Sequence, residues 1–185
     1  MSVLPIYTYG TSILRKKAKP VQKIDDGIIK LVMDMFDTMR KASGIGLAAN
    51  QVGNLHRVIV VDVSDIEEYS ETKPLVVINP EVIEQDGNWI MEEGCLSIPD
   101  VRDEVERPER IRIRFKDTNF ESVEMDVEGL LGRVLLHELD HINGILFLDH
   151  LAPKKRKAHT DALKKIQRGE MEVAYPVVTA ATVEV

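Results

Sequence analysis

Hydrophobic positions recur along this chain with two different periods. Between residues 25 and 42, Ile28, Val32, Met35 and Met39 fall at helical spacing, and Leu31 and Phe36 widen the stripe. This predicts a first long helix, with Asp25 or Asp26 capping its start. Further on, the period shortens to two. Ile111, Ile113 and Phe115 alternate with Arg112 and Arg114, and Val123, Met125 and Val127 alternate with Glu124 and Asp126. Both patterns describe strands with one face buried. Other strands are expected over 57–63, 75–79 and 81–85. A second helix is expected over 128–142, ended by Asn143-Gly144. Pro153 opens a third, basic helix over about 153–169, and a short tail follows over about 176–185. The strands cluster instead of alternating with helices. The expected fold is therefore α+β, with mostly antiparallel strands around a central helix, an N-terminal helix and a C-terminal basic helix.

The chain has 185 residues, 44% hydrophobic and 30% charged. That describes one soluble catalytic-size domain, 1–185, able to bury a core without disulfides. A single cysteine excludes an internal disulfide. The net charge of −7 argues against coating free DNA. No apolar run is long enough to span a bilayer. The N-terminus has no basic region followed by an apolar run, so no signal peptide is expected and the location is taken as cytoplasmic.

The most informative segment is His137-Glu138-Leu139-Asp140-His141, inside the expected central helix. Residues four apart share a helix face, so both imidazoles can reach one ion. Glu138 is placed to act on water beside that ion. The neighbours Leu135, Leu136, Leu139 and Ile142 are apolar, so the histidines are expected to be buried. Two histidines leave a catalytic site one ligand short. The extended pattern with a third histidine is excluded, because Phe147 stands at its last position. Glu170 and Glu172 follow a basic helix and a glycine, in what reads as an exposed end. Cys95, in Glu93-Gly94-Cys95-Leu96-Ser97-Ile98-Pro99, is the better third ligand. His56, His150 and His159 are read as solvated or structural. The Gly-rich stretch 44–53 follows a helix and lacks the residues of a phosphate loop, so alone it reads as an ordinary loop.

Three blocks taken in order resemble the motifs of peptide deformylases. They are Gly44-Ile45-Gly46-Leu47-Ala48-Ala49-Asn50-Gln51, Glu93-Gly94-Cys95-Leu96-Ser97 and His137-Glu138-Leu139-Asp140-His141. Weaker likeness extends over roughly residues 5 to 155. The resemblance implies removal of the formyl group from formyl-methionyl nascent peptides, releasing formate. It implies Cys95, His137 and His141 as ligands of one divalent metal, Fe²⁺ first, with Zn²⁺, Ni²⁺ and Co²⁺ also compatible. Glu138 would be the general acid–base on metal-bound water. The Gln51 amide and the Leu96 N–H would face the oxyanion. Gly44, Ile45 and Gly46 would bind substrate, Gly46 through its backbone. Two departures stand out, Leu136 just before the first histidine and Arg133 one turn earlier. Both bear on the shape and polarity of the pocket rim.

Residues 154–168 hold seven basic residues and one acidic residue on an otherwise acidic chain. Such a patch can steer toward polyanions. With the resemblance, it implies docking on the ribosome; the alternative is a solvated helix. Competing readings of the whole are a zinc peptidase, which would need a carboxylate third ligand, and a silent peptide-binding relative, which would be expected to lose Glu138 or a ligand.

Overall fold

The structure is a computed structural model that describes residues 2–183. Helix α1 runs Asp26–Lys41, and the Asp25 side chain caps it by accepting from the Ile28 N–H at 3.0 Å. Of the stripe read from the sequence it buries Ile28, Leu31, Met35 and Met39, while Val32 and Phe36 are partly buried and the polar Asp34 and Thr38 join the buried face. Five strands form the main sheet: β2 (Gly46–Ala48), β3 (Val58–Val61), β4 (Leu75–Asp86), β7 (Arg110–Lys116) and β8 (Ser122–Glu128). They pair antiparallel in the order β2-β3-β4-β7-β8, leaving β2 as an edge.

Helix α2 (Gly129–Ile142) lies against the opposite face of this sheet from α1. Val58 and Val60 of β3 pack with α1, whereas Ile59 and Val61 pack with α2. With both faces covered, β3 is apolar at every position. Strands β7 and β8 are covered on one face only. Their outer face carries charge pairs such as Arg114–Glu124 at 2.7 Å. The expected strands 75–79 and 81–85 are one strand, β4, with irregularities flanking Glu81 where the backbone passes Asn79 at φ 52°.

A second, two-stranded sheet was not expected from the sequence. It joins β5 (Trp89–Cys95) to β6 (Ile98–Arg107). The inward positions of β6 include Val101 and Val105, but also the buried Arg107. A charged residue on the inner face hid the alternation. Beneath β6 lies a third apolar cluster, with Ile98, Val105, Leu14, Phe147, Leu163 and Ile166. The expected basic helix is two helices, α3 (Pro153–Ala158) and α4 (Thr160–Arg168), broken at His159. The expected tail forms secondary structure over much of its described length, although residues 181–183 are exposed. Strand β9 (Val177–Val178) pairs in parallel with β1 (Ile6–Tyr7), and α5 spans Ala180–Val183. Residues 184 and 185 of that tail lie outside the described residues.

Candidate metal centre

Helix α2 delivers His137 and His141 to one point, and the end of β5 delivers Cys95 to the same point. The Cys95 Sγ lies 3.1 Å from His141 Nε2, which lies 3.2 Å from His137 Nε2. All three donor atoms fall within 4.8 Å of one another, the one such group among the described residues. Donors around a tetrahedral ion with bonds of roughly 2.0–2.3 Å stand about 3.3–3.8 Å apart. The observed 3.1 and 3.2 Å are slightly tighter than that, and the soft thiolate with two imidazole nitrogens fits a divalent transition metal by its donor chemistry. Glu170 pairs with Arg168 at the surface and takes no part. His150 faces Asp140, and His159 faces Asp103, so both are structural.

The outer side of His137 is fixed by Glu93, two residues before Cys95 in the same motif. Its Nδ1 lies 3.0 Å from the Glu93 carboxylate. Glu93 also accepts from Arg107 at 2.6 and 3.0 Å and from Arg133 at 2.9 Å, and all are buried. Burial raises the Glu93 carboxyl, but His137 and Arg107 outweigh it and hold it well below the usual range. Arg107 continues to Asp140 at 2.7 Å, and Asp140 to His150 at 2.7 Å. Glu93 stands two residues before Cys95 in the motif, which was a signal; nothing marked Arg107. Burial lowers both imidazoles. For His137 the neighbouring Cys95 sulfur and Glu93 override it, whereas His141 stays well below its ordinary value.

Glu138 is 4% exposed, and its Oε2 has no hydrogen-bond partner among the described residues. Burial pushes its carboxyl up to about 7. The glycine at 46 makes room for it: a β-carbon there would lie 2.7 Å from Glu138 Oε1 and 2.6 Å from Val134 Cγ1. A β-carbon at Gly44 would likewise meet the Leu96 side chain at 2.7 Å. Gln51 is buried, and the orientation of its amide is determined. The Ala48 N–H can only donate, so it selects Oε1, at 2.8 Å. Nε2 then faces Ser97 Oγ at 3.1 Å and Cys95 Sγ at 3.6 Å.

Beside these groups opens a cleft of about 320 Å³, whose lining includes Gly44, Ile45, Gly46, Met91, Cys95 and Leu96. Arg133 lines it as well, tied to Glu93, to the Val105 carbonyl at 3.0 Å and to the Trp89 carbonyl. Leu136 does not reach the cleft. It packs in the core between α2 and the main sheet, so the expectation that it shapes the rim is corrected. The structure thus brings together Cys95, His137, His141, Glu138, Gln51, Leu96 and residues 44–46.

A family model described as polypeptide deformylase matches residues 3–157. A peptide deformylase of Chlorobaculum parvum is 45% identical over 175 residues, covering 95% of this chain and 94% of that one. One from Salinibacter ruber is 45% identical over 185 residues, covering 96% and 95%. Among solved structures, a peptide deformylase from Legionella pneumophila matches with TM-score 0.83 and 39% identity, over 91% of this chain and 97% of that chain. One from Ehrlichia chaffeensis in complex with actinonin matches with TM-score 0.83 and 39% identity, over 93% and 100%.

Proposed function

The chain belongs to the polypeptide deformylase family, and from that premise we propose how its own residues carry out the reaction. It removes the N-formyl group from nascent peptides. We read Cys95, His137 and His141 as ligands of one divalent ion, Fe²⁺ in preference to Zn²⁺, Ni²⁺ or Co²⁺. When bound, the ion supplies the Lewis acidity that makes water nucleophilic near neutral pH. Glu138 takes the proton of the attacking water and passes it to the leaving amine, and formate departs. The Gln51 Nε2 and the Leu96 N–H donate to the oxygen of the formyl group as it gains charge. One such donor is commonly worth about 3 kcal/mol. The peptide lies extended along the open edge of β2, bonded to the backbone of Gly46, while Gly44 and Ile45 wall the cleft.

The observation that carries this reading is the unpartnered, buried Oε2 of Glu138 beside three metal-type donors. The test is formate release from formyl-Met-Ala by anaerobically purified protein, beside an assay for internal peptide cleavage. Glu138→Gln is expected to keep fold and metal yet lose at least ~100-fold in turnover. Cys95→Ser is expected to lose metal and activity together. If Fe²⁺ is native, activity decays in air and persists under argon. Peptide-bond cleavage without formate release would overturn the reading in favour of a peptidase.

Residues 1–185 act in this reading as a single catalytic domain in the cytoplasm, where formylated chains emerge. No helix among the described residues is long and apolar enough to cross a membrane. The basic α3–α4 segment docks on the ribosome in the same reading. Support comes from Lys154, Lys157, Lys164 and Lys165, which have no acidic partner within 4 Å among the described residues.

A further inference from the structure

The C-terminal segment returns to the catalytic cleft after α4. Its Tyr175 hydroxyl donates to the Leu96 carbonyl oxygen at 2.9 Å, across 79 residues of sequence. The following residues are fastened to the N-terminal strand. Ile6 N–H donates to the Pro176 carbonyl and Thr8 N–H to the Val178 carbonyl, both at 2.9 Å. The N-terminal segment then reaches the same turn, where the Tyr9 N–H donates to the Ser97 carbonyl at 2.8 Å.

That turn receives bonds from outside its hairpin. The β5–β6 ladder shifts register between Gly94 and Cys95, and Cys95 then pairs with Ile98. Leu96 and Ser97 are left outside the ladder, so no strand neighbour fixes their peptide planes. Tyr175 and Tyr9 supply the missing bonds, one to each carbonyl. The Leu96 N–H has no acceptor among the described residues and is free to meet a ligand. Its direction depends on the backbone on both sides of Leu96, and the anchored carbonyl holds one side.

We propose that Tyr175 is a positioning residue, whose phenol, carried by the returning C-terminal segment, fixes the orientation of the Cys95–Leu96–Ser97 turn. Its value to the reaction rests on Leu96 acting as a donor, as read above. Tyr175 lies beyond residue 157, where the family match ends, so none of the three shared motifs includes it.

The test is Tyr175→Phe, which removes one hydroxyl and keeps the ring. The Ser97 amide shares a peptide plane with the Leu96 carbonyl. In zinc-loaded protein its ¹⁵N shift is expected to move and its order parameter to fall. Turnover on formyl-Met-Ala is expected to drop about 10-fold with KM within about twofold, because a donor is misaimed and not removed. Metal content is expected to equal the parent's. An unchanged Ser97 amide overturns the proposal whatever turnover does. A mobilised amide with unchanged turnover leaves the tether standing and overturns the donor role of Leu96.

Discussion

Glu93 bridges His137 to a buried guanidinium: one oxygen lies 3.0 Å from His137 Nδ1, and the same carboxylate takes two bonds from Arg107. The arrangement fixes which nitrogen of His137 faces outward and leaves Nε2 for the metal point. It also explains how a charge-rich cluster survives burial. The carboxylate is shared among two arginines and a histidine, so no charge is left alone.

Glu93→Gln should therefore act on stability and on metal together. The neutral amide leaves Arg107 and Arg133 under-paired in a buried site, which costs about 3–5 kcal/mol. Loss of the carboxylate behind a ligating histidine weakens metal affinity by about 10–100-fold. Denaturant unfolding of the apoprotein and competition with a chromophoric chelator read the two effects separately. A variant with parental metal affinity would leave Glu93 a purely structural role.

Gly46→Ala tests the space kept for Glu138. The new methyl would meet both Glu138 Oε1 and Val134 Cγ1 well inside van der Waals contact. Overpacking of this kind costs about 1–3 kcal/mol. A carboxylate displaced by about 1 Å costs turnover up to about 100-fold. Metal content should hold, because none of the three donor residues is among the side chains the new methyl would meet. Normal turnover at normal metal content would mean that Glu138 has freedom to move aside.

What the sequence made legible follows from periodicity. Helix α1 and strands β7 and β8 each carry a strong apolar periodicity on one face, and each stands where expected, with Asp25 as the cap of α1. The metal-type donors were legible because two of them lie one helical turn apart. The hairpin β5–β6 was not, since Arg107 occupies an inward position that pattern reading reserves for apolar residues. Glu93 was visible as a motif letter but not as the partner of His137, because that contact joins residues 44 apart through tertiary packing. The break at His159 left no local signal either. It coincides with a bond from the His159 ring to Asp103 on β6, 2.9 Å long.

Asp103 gives a pH prediction. Lys155 first, then His159, draw its carboxyl down from 3.8 to about 2. Glu104 shares Lys155 but adds no positive charge. A folded value below the unfolded one means the stabilisation is complete above about pH 4 and lost as pH falls toward 2. Asp103→Asn should lower the melting temperature at pH 5, and the gap to the parent should close as pH approaches 2. A gap that stays constant down to pH 2 would assign the effect to packing instead of charge.

The basic segment tests the ribosome reading, and the fold decides which residues to change. Lys155 already pairs with Asp103 at 2.8 Å, and Arg156 with Asp149 at 3.4 Å. Replacing those two would loosen the segment from the body and confuse stability with binding. Leu163 and Ile166 anchor α4 to the third core cluster, so Lys164 and Lys165 can lose charge without losing that packing. Lys154, Lys157, Lys164 and Lys165, all replaced by Gln, are thus the cleaner set. Phosphate binding weakens with salt in proportion to the contacts made, with a slope of about −0.7 to −0.9 per contact. Ribosome co-sedimentation of the fourfold variant should fall at low salt and show a shallower salt slope. Turnover on a short formyl-peptide and the melting temperature should stay at parental values. Equal co-sedimentation at every salt concentration, or none by the parent chain, would return this segment to a solvated helical face.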